Sequence, residues 1–154
     1  MARRSSISEI AATSVATATL TVETDGAGLV EITRDVARFV ADVGAREGAV
    51  LLYLRHTSAS LTIQENADPD VRTDLVSALR RLAPAEAPWL HDVEGPDDMP
   101  AHVKTMLTGV SLHVPVIGGA LALGAWQGIY LIEHRARAHR REMIMQFIGS
   151  RVDS

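Results

Sequence analysis

Small or apolar residues alternate with threonine in TSVATATLTVET, from Thr13 to Thr24. A period of two predicts a half-exposed strand, and DGAG then turns the chain. From Leu29 to Val43 the period lengthens: Ile32, Val36, Phe39, Val40 and Val43 recur at helical spacing before Gly44, which predicts a helix ended by that glycine. AVLLYLRHTSASLTI, Ala49 to Ile63, opens with a continuous apolar run, breaks at His56-Thr57-Ser58-Ala59 and resumes. The run suits a strand covered on both faces, with the polar tetrad at its end. In ADPDVRTDLVSALRRL, Asp68 is placed to cap a second helix, Pro69 fits its first turn, and Val71, Leu75, Leu79 and Leu82 form its apolar stripe. A short third helix is predicted from about Pro100 to Thr108, with Asp97 or Asp98 as cap and Gly109 as stop. Its core-facing residues would be Met99, Val103, Met106 and Leu107. Three strand-like runs follow, SLHVPV, ALALGAWQGIYLIEHR and EMIMQFIG, with Gly118-Gly119 signalling a hairpin between the first two.

This order predicts an α+β fold of mostly antiparallel β-sheets packed as a sandwich, with two or three flanking helices. The 154 residues fit one domain, with residues 1–12 read as a loose N-terminal segment. Hydrophobic residues make up 47% of the chain but only six are aromatic, so the core is aliphatic. A core of this size needs no metal or disulfide to hold it, so a metal would be functional before it is structural. There is no cysteine, which excludes thiolate nucleophiles and leaves His, Asp and Glu as the metal ligands. The formal net charge of −4 argues against a nucleic-acid binder, which needs clustered cations. The start, MARRSS, leads into no uninterrupted apolar run, and no stretch of about 18 apolar residues occurs anywhere. The expectation is a cytoplasmic protein with no membrane partner.

Against this background HDVEGPDDMPAHV stands out, packing His91, His102 and four carboxylates into thirteen residues stiffened by Gly95, Pro96 and Pro100. It reads either as a solvated loop entering a helix or as a place where His91, His102 and some of Glu94, Asp97 and Asp98 meet a cation or substrate. At the strand break, His56 can serve as base, ligand or phosphate donor, and Thr57 and Ser58 add hydroxyls suited to an anion; alternatively the hydroxyls satisfy local backbone groups. Glu65 follows an apolar strand, where a carboxylate can act as base or support a histidine. His113 reads as a surface or partly buried strand residue. His134 and His139 belong to a basic hairpin, RARAHRR from Arg135 to Arg141, which reads as a solvated tip or as a grip for a phosphate-sized anion. LGAWQGI places Trp126 and Gln127 between glycines in a strand, with Trp126 assigned to core packing and Gln127 left as a polar amide in an apolar run.

Together HTSASLTIQENADPDVRTDL, HDVEGPDDMPAHV, GVSLHVPV, LALGAWQGIYLIEHR and the closing FIG resemble the YjbQ family, labelled secondary thiamine-phosphate synthases, in order and spacing from about Val50 to Gly149. The resemblance implies packed sheets, a homotrimer and a pocket where the His-Thr-Ser-Ala and His-x-x-Glu-Gly segments meet. It implies His56, His91 and His102 as histidines holding a divalent metal, zinc by the preference of imidazole, with magnesium the alternative for a diphosphate substrate. Thr57, Ser58, Glu94, Asp97, Gln127 and Arg141 would bind a small phosphorylated metabolite, and Glu65 or Asp98 would manage protons. The implied reaction joins 4-amino-2-methyl-5-hydroxymethylpyrimidine diphosphate to 4-methyl-5-(2-hydroxyethyl)thiazole phosphate, releasing pyrophosphate. A metal-dependent hydrolase and a non-catalytic trimeric module binding a metabolite or metal are the alternatives. The chain departs from the family pattern at Gln64, at Ala125 and in the hairpin, where Arg141 is followed by Glu142.

Overall fold

The computed structural model describes residues 1–152. The elements, in chain order, are β1 (Ser14–Thr24), β2 (Gly28–Glu31), α1 (Thr33–Val43), β3 (Ala45–Leu54), β4 (Ala59–Glu65), α2 (Pro69–Leu82), α3 (Asp98–Thr108), β5 (Ser111–Ile117), β6 (Ala120–Leu121), β7 (Gln127–Glu133) and β8 (His139–Arg151). They form two sheets with antiparallel pairing throughout, of strand order β1-β8-β3-β5-β6 and β2-β7-β4. The α+β reading holds. The core joins Val36, Phe39 and Val40 of α1 to Val50, Leu52 and Leu54 of β3, Leu61 of β4, Ile129 and Leu131 of β7, and Met143 and Phe147 of β8. It is mostly aliphatic, with Phe39, Phe147 and the fully buried Tyr130 as its aromatic residues.

The alternating threonine stretch is β1, paired residue for residue with β8 from Ser14↔Gly149 to Thr24↔His139. The Gly118-Gly119 hairpin also forms, with Ile117↔Ala120 closing it and φ of 57° and 82° at the two glycines, a backbone only glycine adopts freely. Asp68 accepts the Asp70 N–H at 2.9 Å and caps α2 with Pro69 in its first turn. The predicted helix from Leu29, by contrast, starts only at Thr33, because residues 28–31 pair with Glu133 to Tyr130 of β7. Four residues are too few for their period to declare a strand.

Two helix faces differ from expectation. No residue of α2 is fully buried, and Leu82 at the end of its apolar stripe is 66% exposed. On α3 the buried residues are Asp98, Pro100, Ala101 and Thr105, whereas Met106 is 77% and Leu107 55% exposed. The helix turns its polar face inward because Asp98 has a buried cation to meet there. Neither Asp97 nor Asp98 caps it with a side chain.

The polar tetrad does not merely interrupt a strand. β3 lies in the five-stranded sheet and β4 in the three-stranded one, so residues 55–58 carry the chain from one sheet to the other. β7 and β8 are likewise in different sheets, and residues 134–138 make the second crossing. The crossings lie side by side: Ala59 pairs with Glu133 on one sheet, Leu54 with Met143 on the other, and the Arg55 N–H donates to the Glu142 carbonyl at 3.2 Å. α3 packs over this end, tied by Leu61 N–H to Gly109 O at 3.0 Å and Leu54 N–H to Val110 O at 2.8 Å.

Candidate metal centre

His91 stands on the loop before α3, and Asp98 and His102 lie one turn apart on the helix, so the 3.6-residue period puts the last two on one face. Ligand atoms of His91, Asp98 and His102 lie within 4.8 Å of one another. Asp98 Oδ2 is 2.7 Å from His91 Nε2 and 3.2 Å from His102 Nε2, while the rings are 5.5 Å apart. The Asp98 side chain is 2% exposed but His91 is 45% and His102 33% exposed, so a buried carboxylate faces outward through two open imidazoles.

His102 decides what this group fits. Its Nδ1 lies 2.8 Å from the Thr57 carbonyl, which only accepts, so Nδ1 carries a proton and donates. Nε2 then faces a carboxylate oxygen at 3.2 Å, and a proton or a metal cation must lie between them. Nδ1 held by a backbone carbonyl is the support that metal-binding histidines ordinarily have. Two imidazoles and one carboxylate suit zinc or another transition metal better than magnesium, which prefers oxygen.

Arg135 holds the cluster from behind. Its Nη1 donates to Asp98 Oδ1, its Nε to Asp97 Oδ2 at 3.1 Å, and its Nη2 to the Glu94 carbonyl at 2.8 Å. Asp97 Oδ2 also accepts the Ala136 N–H at 2.8 Å. Burial alone would raise the Asp98 carboxyl, but the His91 hydrogen bond and the charges of Arg135 and His102 hold it below the usual carboxylate range. Asp97 is lowered too, its burial outweighed by the Ala136 N–H and Arg135. The Arg135 guanidinium is raised in spite of burial, because Asp97 and Asp98 stabilise its charge.

Beside the cluster opens a pocket of about 730 Å³ lined by His56, Thr57, Ser58, His102 and Arg141, with Tyr53 and Met106 among its apolar residues. Arg141 is fixed by Glu133, whose oxygens accept from Nε at 2.7 Å and Nη2 at 2.5 Å; Nη2 also donates to Ser58 Oγ at 3.1 Å. Glu133 is fully buried and stays ionised: burial would raise it, but the Arg141 hydrogen bond, the Arg135 N–H and the Thr24 hydroxyl outweigh that. His56 faces the same pocket, yet its Nε2 accepts the Glu142 N–H at 2.8 Å. Its proton therefore sits on Nδ1, so the 3.5 Å approach of Arg141 Nη1 to that nitrogen sets two donors face to face, and burial and Arg141 lower the pKa of His56.

A family model described as UPF0047 protein YjbQ-like matches residues 18–150. The chain belongs to the YjbQ-like UPF0047 family. The UPF0047 protein sll1880 of Synechocystis is 45% identical over 131 residues, covering 84% of this chain and 89% of that protein. Among solved structures, protein APE1520 of Aeropyrum pernix superposes with a TM-score of 0.81 at 29% identity, covering 88% of this chain and 99% of that one. A YjbQ/UPF0047-family protein of Clostridium acetobutylicum gives 0.79 at 33% identity, covering 84% and 98%.

In this YjbQ-like chain the expected site residues divide. His91, His102, Asp97 and Asp98 lie together, and Thr57, Ser58 and Arg141 line the adjoining pocket. His56 joins the pocket but not the ligand cluster, since Nε2 is engaged by backbone and Nδ1 bears the proton; Asp98 takes the third place. Asp98, held by two imidazoles and Arg135, is a ligand candidate rather than a free proton carrier. Glu94 meets Arg135 through its carbonyl while its side chain is exposed. Glu65 and Gln127 pair with each other at the far end of β4 and β7, about 20 Å from Ala59 at the rise of a strand. Within one chain they are not in the pocket. Trp126, expected in the core, is 67% exposed just before β7, and Gln127 is exposed, its Oε1 accepting the Gly124 N–H.

The basic hairpin is not a solvated tip. His134, Arg135 and Arg141 are 4%, 5% and 4% exposed; only residues 136–138 and 140 project fully. His134 Nε2 lies 2.8 Å from Ser60 Oγ, and burial, with Lys104 next, lowers its pKa to about 4. Arg135 was missed as a site residue because a run of arginines looks alike in sequence. The signal that separates it is its place two residues after buried Glu133, directly where the chain leaves the sheet.

Proposed function

We propose that this protein is a metal-dependent enzyme acting on a small phosphorylated metabolite, with secondary thiamine-phosphate synthase chemistry as its specific reaction. The supporting observation is the Nε2 of His102 turned toward Asp98 Oδ2 at 3.2 Å beside His91, at the mouth of a pocket with a buried arginine. His91, Asp98 and His102 would hold the metal, and a bound divalent ion supplies Lewis acidity and charge neutralisation at a phosphate oxygen. In the proposed reaction the thiazole nitrogen forms a bond to the pyrimidine methylene carbon as the carbon–oxygen bond to diphosphate breaks. No proton needs to move in that transfer. The chain's task is to hold the diphosphate, with Arg141 and the hydroxyls of Thr57 and Ser58 donating to its oxygens. Arg135 keeps the Asp98 carboxylate ionised and aimed.

The openness of both imidazoles to solvent favours one second reading, hydrolysis of a small phosphorylated substrate, since synthase chemistry needs water kept out. A homotrimer is part of the proposal; its support is the outer face of the five-stranded sheet, where Val15, Tyr53, Ile117 and Ile148 are exposed. Light scattering would find three times the 16.6 kDa chain mass.

The test is metal content by mass spectrometry on tag-free protein beside His91→Ala and His102→Ala, with thermal melts. Near-stoichiometric transition metal in wild type, lost from variants that melt normally, is expected. Metal-free wild type, or variants that retain the ion, would overturn the metal centre. Incubation with both precursors should then give thiamine phosphate, and turnover of one precursor with water alone would select the hydrolase.

A further inference from the structure

α3 has two working faces. One turns Asp98, His102 and Thr105 toward the metal cluster and pocket; the other turns Pro100 and Lys104 into a separate cleft against α2. This cleft, about 260 Å³, is walled by the 83–86 turn, Ala136 and His134, and both Arg80 and Lys104 line it. Both also line the smaller recess that continues it along β7, and Arg80 with Arg72 lines the next hollow along α2.

The two cations have no carboxylate of their own. Among the described residues neither Arg80 nor Lys104 makes a salt bridge. They are close enough that Arg80 repels the Lys104 ammonium. Asp97 lines the cleft and attracts Lys104, but its carboxylate is already committed to Arg135 Nε and the Ala136 N–H. Glu86 also lines the cleft, exposed to solvent as Arg80 is, and bonds to neither cation. His134 adds no charge near neutral pH. Two like charges in one concavity, in a chain of net charge −4, lower their mutual repulsion by sharing a counter-ion.

We infer that the cleft between α2 and α3 is a second binding site, in which Arg80 and Lys104 take a compact dianion: phosphate, free or carried on a small phosphomonoester. The site is separate from the metal centre and does not depend on the reading of it. Arginine supplies a planar fork for two phosphate oxygens and lysine a point charge for a third. Pro84 and Pro100 make the walls rigid around an ion of that size.

The experiment is a titration of the ¹⁵N-labelled protein as purified with inorganic phosphate, then with glycerol phosphate, at ionic strength held constant with chloride. Amides of residues 80, 83, 85, 86, 104 and 136 are expected to shift saturably. Arg80→Gln and Lys104→Gln should each weaken that response by about tenfold or more, the effect of losing one charge-assisted contact, and Lys104→Arg should largely restore it. Tighter binding of the ester would identify a carried phosphate; equal or weaker binding, the free ion. Melts without phosphate check the fold of each variant. Affinity unchanged in both Gln variants, shifts confined to residues 55–58 and 141, or a response chloride reproduces would overturn the inference.

Discussion

Replacing Arg135 with methionine tests whether the cluster is held by a buried cation. The substitution keeps the length of the side chain but removes the donors to Asp98 Oδ1, Asp97 Oδ2 and the Glu94 carbonyl. Asp98 is 2% exposed, so water cannot replace the lost partner without opening the loop. Removing one member of a buried ion pair costs about 3–5 kcal/mol. For a chain of this size that lowers Tm by roughly 6–20 °C. Urea unfolding of the metal-free protein at pH 7, followed by circular dichroism, measures the difference directly.

The pH dependence separates this cause from simple loss of packing. Asp97 and Asp98 have folded pKa values below 3.8. Their contribution is complete above the unfolded pKa and is lost as pH falls through the lower folded value. The gap between wild type and Arg135→Met should therefore narrow in acid, below about pH 4. A loss under about 1 kcal/mol at pH 7, or a gap of the same size at pH 3, would refute the reasoning.

Two further outcomes follow from buried contacts. His134 has a folded pKa of about 4 against 6.5 for the free group, so its contribution is full above pH 6.5 and falls away toward pH 4, by roughly 3 kcal/mol at most; the unfolding free energy of His134→Gln should lack that slope. At Gly149 a Cβ would stand 2.1 Å from the Glu47 carbonyl oxygen and 2.8 Å from Gly48 Cα; since backbone has to move, Gly149→Ala should lose stability at the upper end of the roughly 1–3 kcal/mol of an overpacked site, and an unchanged urea midpoint would show that the β3–β8 pairing is looser than described.

Periodicity located most elements because each long segment has one side in a core. β1 with its threonines and α1 with Val36, Phe39 and Val40 are of this kind. It failed where burial is decided by charge. α3 carries Met99, Val103, Met106 and Leu107 at helical spacing, yet the side turned inward holds Asp98, because Arg135 lies there. The partner is 37 residues away in sequence, and no local pattern registers it. The same reason hides His134 and Arg141, whose buried partners Ser60 and Glu133 belong to other strands. His91 and His102 were legible because the ligand-bearing stretch is local. Glu65 reads as a base from its place after a strand, and the resemblance sets it with Gln127 in the pocket, but the length of β4 puts both at its other end.

This difference between local and distant contacts also separates metal binding from folding. All three ligand candidates come from residues 91–102, a single loop and helix start, whereas their supports come from the two crossings: the Thr57 carbonyl behind His102 and Arg135 behind Asp98. His91, 45% exposed, has Asp98 as its one hydrogen-bonded partner among the described residues. Its removal should take away a ligand while leaving Asp98 bonded to Arg135, so metal affinity falls and the fold stays. Arg135→Met does the reverse, leaving every ligand atom in the chain but unfixing the carboxylate. A metal ion restores positive charge beside Asp98, so added zinc should raise the melting temperature of Arg135→Met by at least as much as that of wild type, and of His91→Ala by less than either. Equal shifts in all three, measured at the same free zinc concentration, would mean that zinc is held elsewhere on the protein.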